Sequence, residues 1–129
     1  MNRIAAFCFL ASVVFLSACQ KVTYQLNEEF TLGFHETARI QLDGIDYPIK
    51  FKKLQEDSRC PPDVNCFWQG QVAVVVQLDK KTSVTIGQHS TIPSFATYQG
   101  HTIRLLDVSY DKAKNFGKER HCSIKLRVE

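Results

Sequence analysis

The 129-residue chain lacks a strong charge of one sign. Its 16 Lys+Arg stand against 13 Asp+Glu, a formal net charge of +3. That excludes the large basic face on which electrostatic nucleic-acid binders are built. It equally excludes an acidic disordered tail. No Gly-x-Ser-x-Gly elbow, phosphate-binding loop or His-Glu-x-x-His pair occurs, so no recognisable catalytic set is present and no cofactor is implied. His35, His89, His101 and His121 have no metal-like spacing, and no metal site is expected. Adjacent carboxylates such as Glu28-Glu29 and Glu56-Asp57 point to opposite faces of a strand, which makes them poor acid/base pairs. No internal repeat, low-complexity stretch or Gly/Ser/Pro linker breaks the chain. Its length fits one domain.

No apolar run reaches the roughly 20 residues that a spanning helix needs. The longest, Ile4 to Ala18, follows the cationic start Met1-Asn2-Arg3. A positive start, a short apolar stretch and small residues at its end make a secretory signal over residues 1–18. Leu16-Ser17-Ala18-Cys19 resembles the bacterial lipobox. The resemblance implies cleavage before Cys19 and a diacylglycerol on its thiol, with Cys8 discarded. The alternative is ordinary cleavage after Ala18 and a free Cys19. One acyl chain anchors only marginally, whereas two or three hold a protein on a membrane. Gln20 follows, where Asp would favour retention on the inner membrane. By resemblance, the position points to the outer membrane, with the domain facing the periplasm. In a host with one membrane it would face outward.

Without its first eighteen residues the chain keeps 111, with 15 basic residues against 13 acidic. A chain of this size can bury roughly 65% of its unfolded surface. Its periodicity is mostly two. Ala38, Ile40 and Leu42 alternate with polar neighbours, which predicts a half-buried strand. Asp43-Gly44 predicts a tight turn. Ile45, Tyr47, Ile49 and Phe51 then share a face of the return strand. Pro48 marks that strand as an edge or a bulge. Gln71 to Leu78 is β-branched on both parities, which predicts a central strand covered on both faces. Strands are also expected over 82–86 and 102–108, with a loop over 87–97. In the final strand Cys122, Ile124, Leu126 and Val128 point inward. No stretch carries a capped helical stripe. The expected fold is all-β, an antiparallel sandwich or small barrel of about seven or eight strands, preceded by a signal helix.

An exported chain meets an oxidising compartment, where a disulfide is expected. Cys60, Cys66 and Cys122 allow three single bridges. Short spacing and Pro61-Pro62 favour Cys60–Cys66. Cys122, inward on a strand, then acts as a small hydrophobe.

The segment Asp57-Ser58-Arg59-Cys60-Pro61-Pro62-Asp63-Val64-Asn65-Cys66-Phe67-Trp68-Gln69-Gly70 resembles an uncharacterised family of small secreted proteins and lipoproteins of bacteria. Those sequences carry Asp-Ser-Arg-Cys-Pro followed by Cys-x-Trp-x-Gly between two β segments. The resemblance covers the layout of most of the mature chain, but only this segment is specific. Members often carry proline where this chain has Ser109-Tyr110-Asp111. The family brings no activity with it.

Within the segment, Asp57 and Arg59 are candidates for an ion pair that holds the loop. Gly70 suits a positive-φ turn or a close approach. Trp68, the one tryptophan, either caps the core beside the disulfide or anchors a partner. Lys112, Lys114, Lys118, Arg120, Lys125 and Arg127 form either a solvated face or a patch for anionic headgroups, polysaccharide or an acidic protein. The expected function is a membrane-anchored, non-enzymatic binding or structural module of the envelope, with Arg59, Trp68, Lys112, Lys114 and Lys118 as candidate contacts. The alternative is a small-ligand or metal carrier that uses the sandwich edge and the loops 87–97 and 111–119.

Overall fold

The computed structural model describes residues 22–89 and 91–129. The expected signal helix and Cys19 lie outside them. Among them run nine strands: β1 (Thr23–Tyr24), β2 (Glu29–Gly33), β3 (Thr37–Leu42), β4 (Ile45–Asp57), β5 (Val72–Gln77), β6 (Ser83–Gln88), β7 (Phe95–Tyr98), β8 (His101–Tyr110) and β9 (Cys122–Val128). They form two open sheets, ordered β1-β3-β4-β5-β6 and β2-β9-β8-β7. All pairs are antiparallel except β1 with β3. The fold is therefore a sandwich, and it does not close into a barrel.

The core lies between the sheets, where the inward parities meet. Ile40, Leu42, Ile49, Phe51, Val72, Val74, Val76 and Ile86 come from one sheet. Phe30, Leu32, Ile103, Leu105, Val108, Ile124, Leu126 and Val128 come from the other. β5 is covered on both faces as expected, with Ala73 buried and Val75 half-buried on the outer one. Cys122 is a buried free thiol. Burial, then the negative charge of Asp57, pushes that thiol up to about 12.

Three elements differ from the sequence expectation. The strand containing Pro48 lies inside the sheet, between β3 and β5. Pro48 is tolerated because β5 begins its pairing only at Lys50, so β4 is locally an edge at Pro48. Irregular register between Phe51 and Lys53, and again between Leu54 and Glu56, marks bulges further along β4. The expected loop over 87–97 is shorter: β6 runs on to Gln88 and β7 starts at Phe95.

Asp43-Gly44 turns with φ of 52° and 81°, and Gln99-Gly100 does the same with 50° and 75°. Two consecutive positive φ values match the right-handed twist of hairpin strands. One end of the sandwich holds the long connection from β4 to β5, residues 58–71, and the connection from β8 to β9, residues 111–121. The second carries two single-turn 3-10 helices, Ala113–Asn115 and Glu119–His121.

Candidate functional site

One buried carboxylate ties the 58–71 connection to the end of β8, from which the 111–121 connection departs. The Asp57 side chain, 1% exposed, ends β4. Its Oδ1 accepts from the Arg59 backbone N–H at 3.2 Å and from Arg59 Nε at 2.9 Å. Its Oδ2 accepts from Arg59 Nη2 at 2.7 Å and from the Tyr110 hydroxyl at 2.7 Å. Arg59 Nη1 donates to the Val108 carbonyl at 3.0 Å, in the opposite sheet. The forked guanidinium thus ties both sheets together at this end. Bonding to Asp57 holds the Arg59 guanidinium above its ordinary value. Burial, then the bond to Asp57, pushes the Tyr110 phenol strongly upward. The sequence-level pairing of Asp57 with Arg59 is therefore present, with Tyr110 and Val108 as added partners.

Cys60 and Cys66 form the disulfide expected from their spacing. Gly70 has φ +71°, and a Cβ there would sit 2.2 Å from the Ser58 carbonyl oxygen and 2.5 Å from Arg59 Cα. Only glycine permits this return of the chain into β5. Ser58 adds a clasp: its N–H donates to the Gln71 carbonyl at 2.8 Å, and the Gln71 N–H donates to its hydroxyl at 3.0 Å.

Trp68 does not cap the core. It is 59% exposed, and its indole N–H donates to the Ser58 carbonyl at 3.0 Å. Phe67 beside it is fully exposed, and Val64 is 55% exposed. Gln69 Nε2 lies 2.9 Å from His89 Nδ1, linking the loop to the end of β6.

The 111–121 connection has its own framework. Asn115 is buried, and its amide donates to Asp111 Oδ1 at 2.8 Å. His121 Nδ1 lies 2.8 Å from Asp111 Oδ2. The Asn115 bond, then His121, holds the Asp111 carboxyl below its ordinary range. Glu119 Oε2 accepts from the Leu54 N–H at 2.8 Å, pinning this loop to the irregular stretch of β4. Phe116 folds back onto Tyr110, with ring centroids 5.1 Å apart, and Arg59 lies 5.8 Å from the Phe116 centroid.

Between the two connections runs a cleft of about 280 Å³, lined by residues that include Arg59, Pro62, Tyr110, Lys112 and Phe116. The structure thus brings Arg59 and Lys112 together. Trp68, Lys114 and Lys118 stand outside the cleft wall, at the same end. Lys112, Lys114 and Lys118 are exposed and make no ion pair among the described residues. Among the described residues, no group of three or more His, Cys, Asp or Glu could hold a metal ion.

Sequence reasoning missed Tyr110, Phe116 and Glu119. The signal for Phe116 was a lone aromatic in a lysine-rich turn. Tyr110 and Glu119 gain their roles from the opposite sheet, which spacing along the chain does not disclose. Comparison with known protein families, curated proteins and solved structures finds no match for this chain.

Proposed function

We propose that the chain is an envelope lipoprotein, anchored through Cys19, whose sandwich is a non-enzymatic interaction module. Its working surface is the end built by residues 58–71 and 111–121. The supporting observation is a contrast within that end. Asp57, Arg59 and Tyr110 satisfy one another, while Phe67 and Trp68 are exposed apart from the single Trp68 bond to Ser58, and the three lysines make no ion pair among the described residues. Exposed aromatics beside cations are the composition of an interaction surface. The likeness of Leu16-Ser17-Ala18-Cys19 to a lipobox supports a membrane anchor, and Gln20 in place of Asp favours the outer membrane with the domain in the periplasm, or an outward-facing domain in a host with one membrane. Confinement raises the effective concentration of any envelope partner, so weak contacts suffice.

The test is mass spectrometry of the mature N-terminus, with crosslinking and capture from the native envelope. Lipidated Cys19 is expected, with mislocalisation of Cys19→Ser. Partners retained by the wild type should be lost in Trp68→Ala or in the Lys112/Lys114/Lys118 charge-removal variant. Equal retention by all three proteins would remove these surfaces from the interaction, and turnover of an envelope substrate would overturn the non-enzymatic reading.

The cleft supports a second reading, as a carrier of a small ligand. Tyr110 and Phe116 offer ring faces, and Lys112 offers a cation that makes no ion pair among the described residues. That chemistry suits an aromatic anion, and Phe116→Ala should abolish its binding.

A further inference from the structure

The chain enters β1 from the direction of the end that carries the exposed aromatic loop. β1 runs parallel to β3 and therefore antiparallel to β4. Thr23 stands opposite Arg39, which stands opposite Pro48. The chain leading into Thr23 thus approaches from the end towards which β4 travels, where Asp57 and the 58–71 connection lie. Pro48 to Asp57 spans about 30 Å of strand. Cys19 precedes Thr23 by four residues, a reach of at most about 14 Å towards that end. Two inter-strand steps separate β1 from β4 laterally, about 10 Å. A fully extended run from Cys19 to Thr23 would leave the anchor about 20 Å from the loop base at its closest.

The loop has the composition that a bilayer surface would select. Phe67 and Trp68 protrude, and Val64 beside them is also exposed. Tryptophan favours the headgroup level, where its ring is half-embedded and its N–H remains bonded. The disulfide and the Gly70 turn hold the loop in shape, so docking orders little extra chain. On the 111–121 connection at the same end, Lys112, Lys114 and Lys118 are exposed and make no ion pair among the described residues, which leaves them available to anionic headgroups.

We propose that this end of the sandwich docks on the bilayer that carries its own anchor, with Phe67 and Trp68 in the interface and the three lysines on anionic headgroups. This deepens the reading of Cys19 as a lipid anchor and rests on it. The domain then lies against the membrane rather than hanging free.

Trp68 is the only tryptophan, so its fluorescence reports this contact alone. The full mature protein, with its Cys19 lipid first verified by mass, is reconstituted into phosphatidylethanolamine–phosphatidylglycerol vesicles. The expected result is a blue-shifted Trp68 emission, protection from iodide, and quenching by lipids brominated near the headgroup. Phe67→Ser should restore iodide access. Replacing all three lysines by glutamine should weaken docking by about two orders of magnitude, and phosphatidylcholine vesicles should do the same to the wild type. Solvent-like emission with full iodide access on anionic vesicles, in a chain whose lipid is confirmed, overturns the proposal and leaves the anchor standing. If the mass shows no lipid, the anchor reading fails. Co-sedimentation of that unlipidated chain with the same vesicles then decides docking, supported by binding that Phe67→Ser removes and overturned by its absence.

Discussion

Asp57 and Gly70 carry more of this end than any exposed residue does. Asp57 is nearly inaccessible and accepts four hydrogen bonds. Its replacement leaves a half-buried guanidinium and a phenol without their acceptor. Removing one partner of a buried pair costs far more than the pair contributes in net stability. Asp57→Ala is therefore expected to destabilise by about 3 kcal/mol, read as a lower midpoint in urea. An unchanged midpoint would show that the network is incidental. Gly70 acts through the backbone: its positive φ alone costs another residue about 1–2 kcal/mol, before the overlap with the Ser58 carbonyl. Gly70→Ala should exceed about 2 kcal/mol. Gly100 is the control, because it has a similar φ and open space around its Cβ position. Gly100→Ala should cost only the backbone part.

At the scale of elements, the strands most legible in the sequence are those whose alternation continues for several residues. β3 and β9 show this best: Ala38-Ile40-Leu42 and Cys122-Ile124-Leu126-Val128 face inward without interruption. β2 places only Phe30 and Leu32 in the core, and β7 only Tyr98. Two inward residues or fewer leave little period to read. Gln99-Gly100, which fixes the β7–β8 register, lacks the Asn or Asp that advertises Asp43-Gly44. The Cys60–Cys66 bridge was readable because its constraint is local. The seating of 111–121 against 58–71 was not, because it depends on β8 meeting β4 across the core. The short bridge closes a small loop, and its stabilisation through chain entropy is about 2 kcal/mol. Reduction should lower the thermal midpoint while far-ultraviolet circular dichroism keeps its β signature, because the apolar faces of both sheets remain. Loss of all cooperative unfolding on reduction would mean that the bridge, rather than the core, holds the fold.

For the whole molecule, pH tests how the charged periphery and the buried groups share stability. Asp79 accepts from the Lys81 and Thr82 N–H groups, and Glu129 accepts from Arg104 and Arg127. The backbone bond from Lys81 holds Asp79 below its ordinary 3.8, and the Arg104 bond holds Glu129 below 4.5. Asp111, held low by Asn115, behaves likewise. A carboxyl lowered on folding stabilises the native state above its unfolded value, and that contribution is lost as pH falls through the folded one. Stability should therefore decline below about pH 4. Cys122 has the opposite sign. Its folded value is raised from 9.0 to about 12, so its contribution is complete below pH 9 and disappears as pH climbs towards 12. Tyr110, also raised by burial, adds to the same alkaline limb. The denaturation midpoint should thus be flat between about pH 5 and 8 and fall on both sides. Cys122→Ala, although less stable at neutral pH, should lose less from pH 9 upward than the wild type. The two limbs are separable because the acid groups lie at the surface and the alkaline ones beneath the 58–71 loop. An alkaline limb identical in wild type and Cys122→Ala would show that the buried thiol does not govern it, leaving Tyr110→Phe as the substitution that must flatten it.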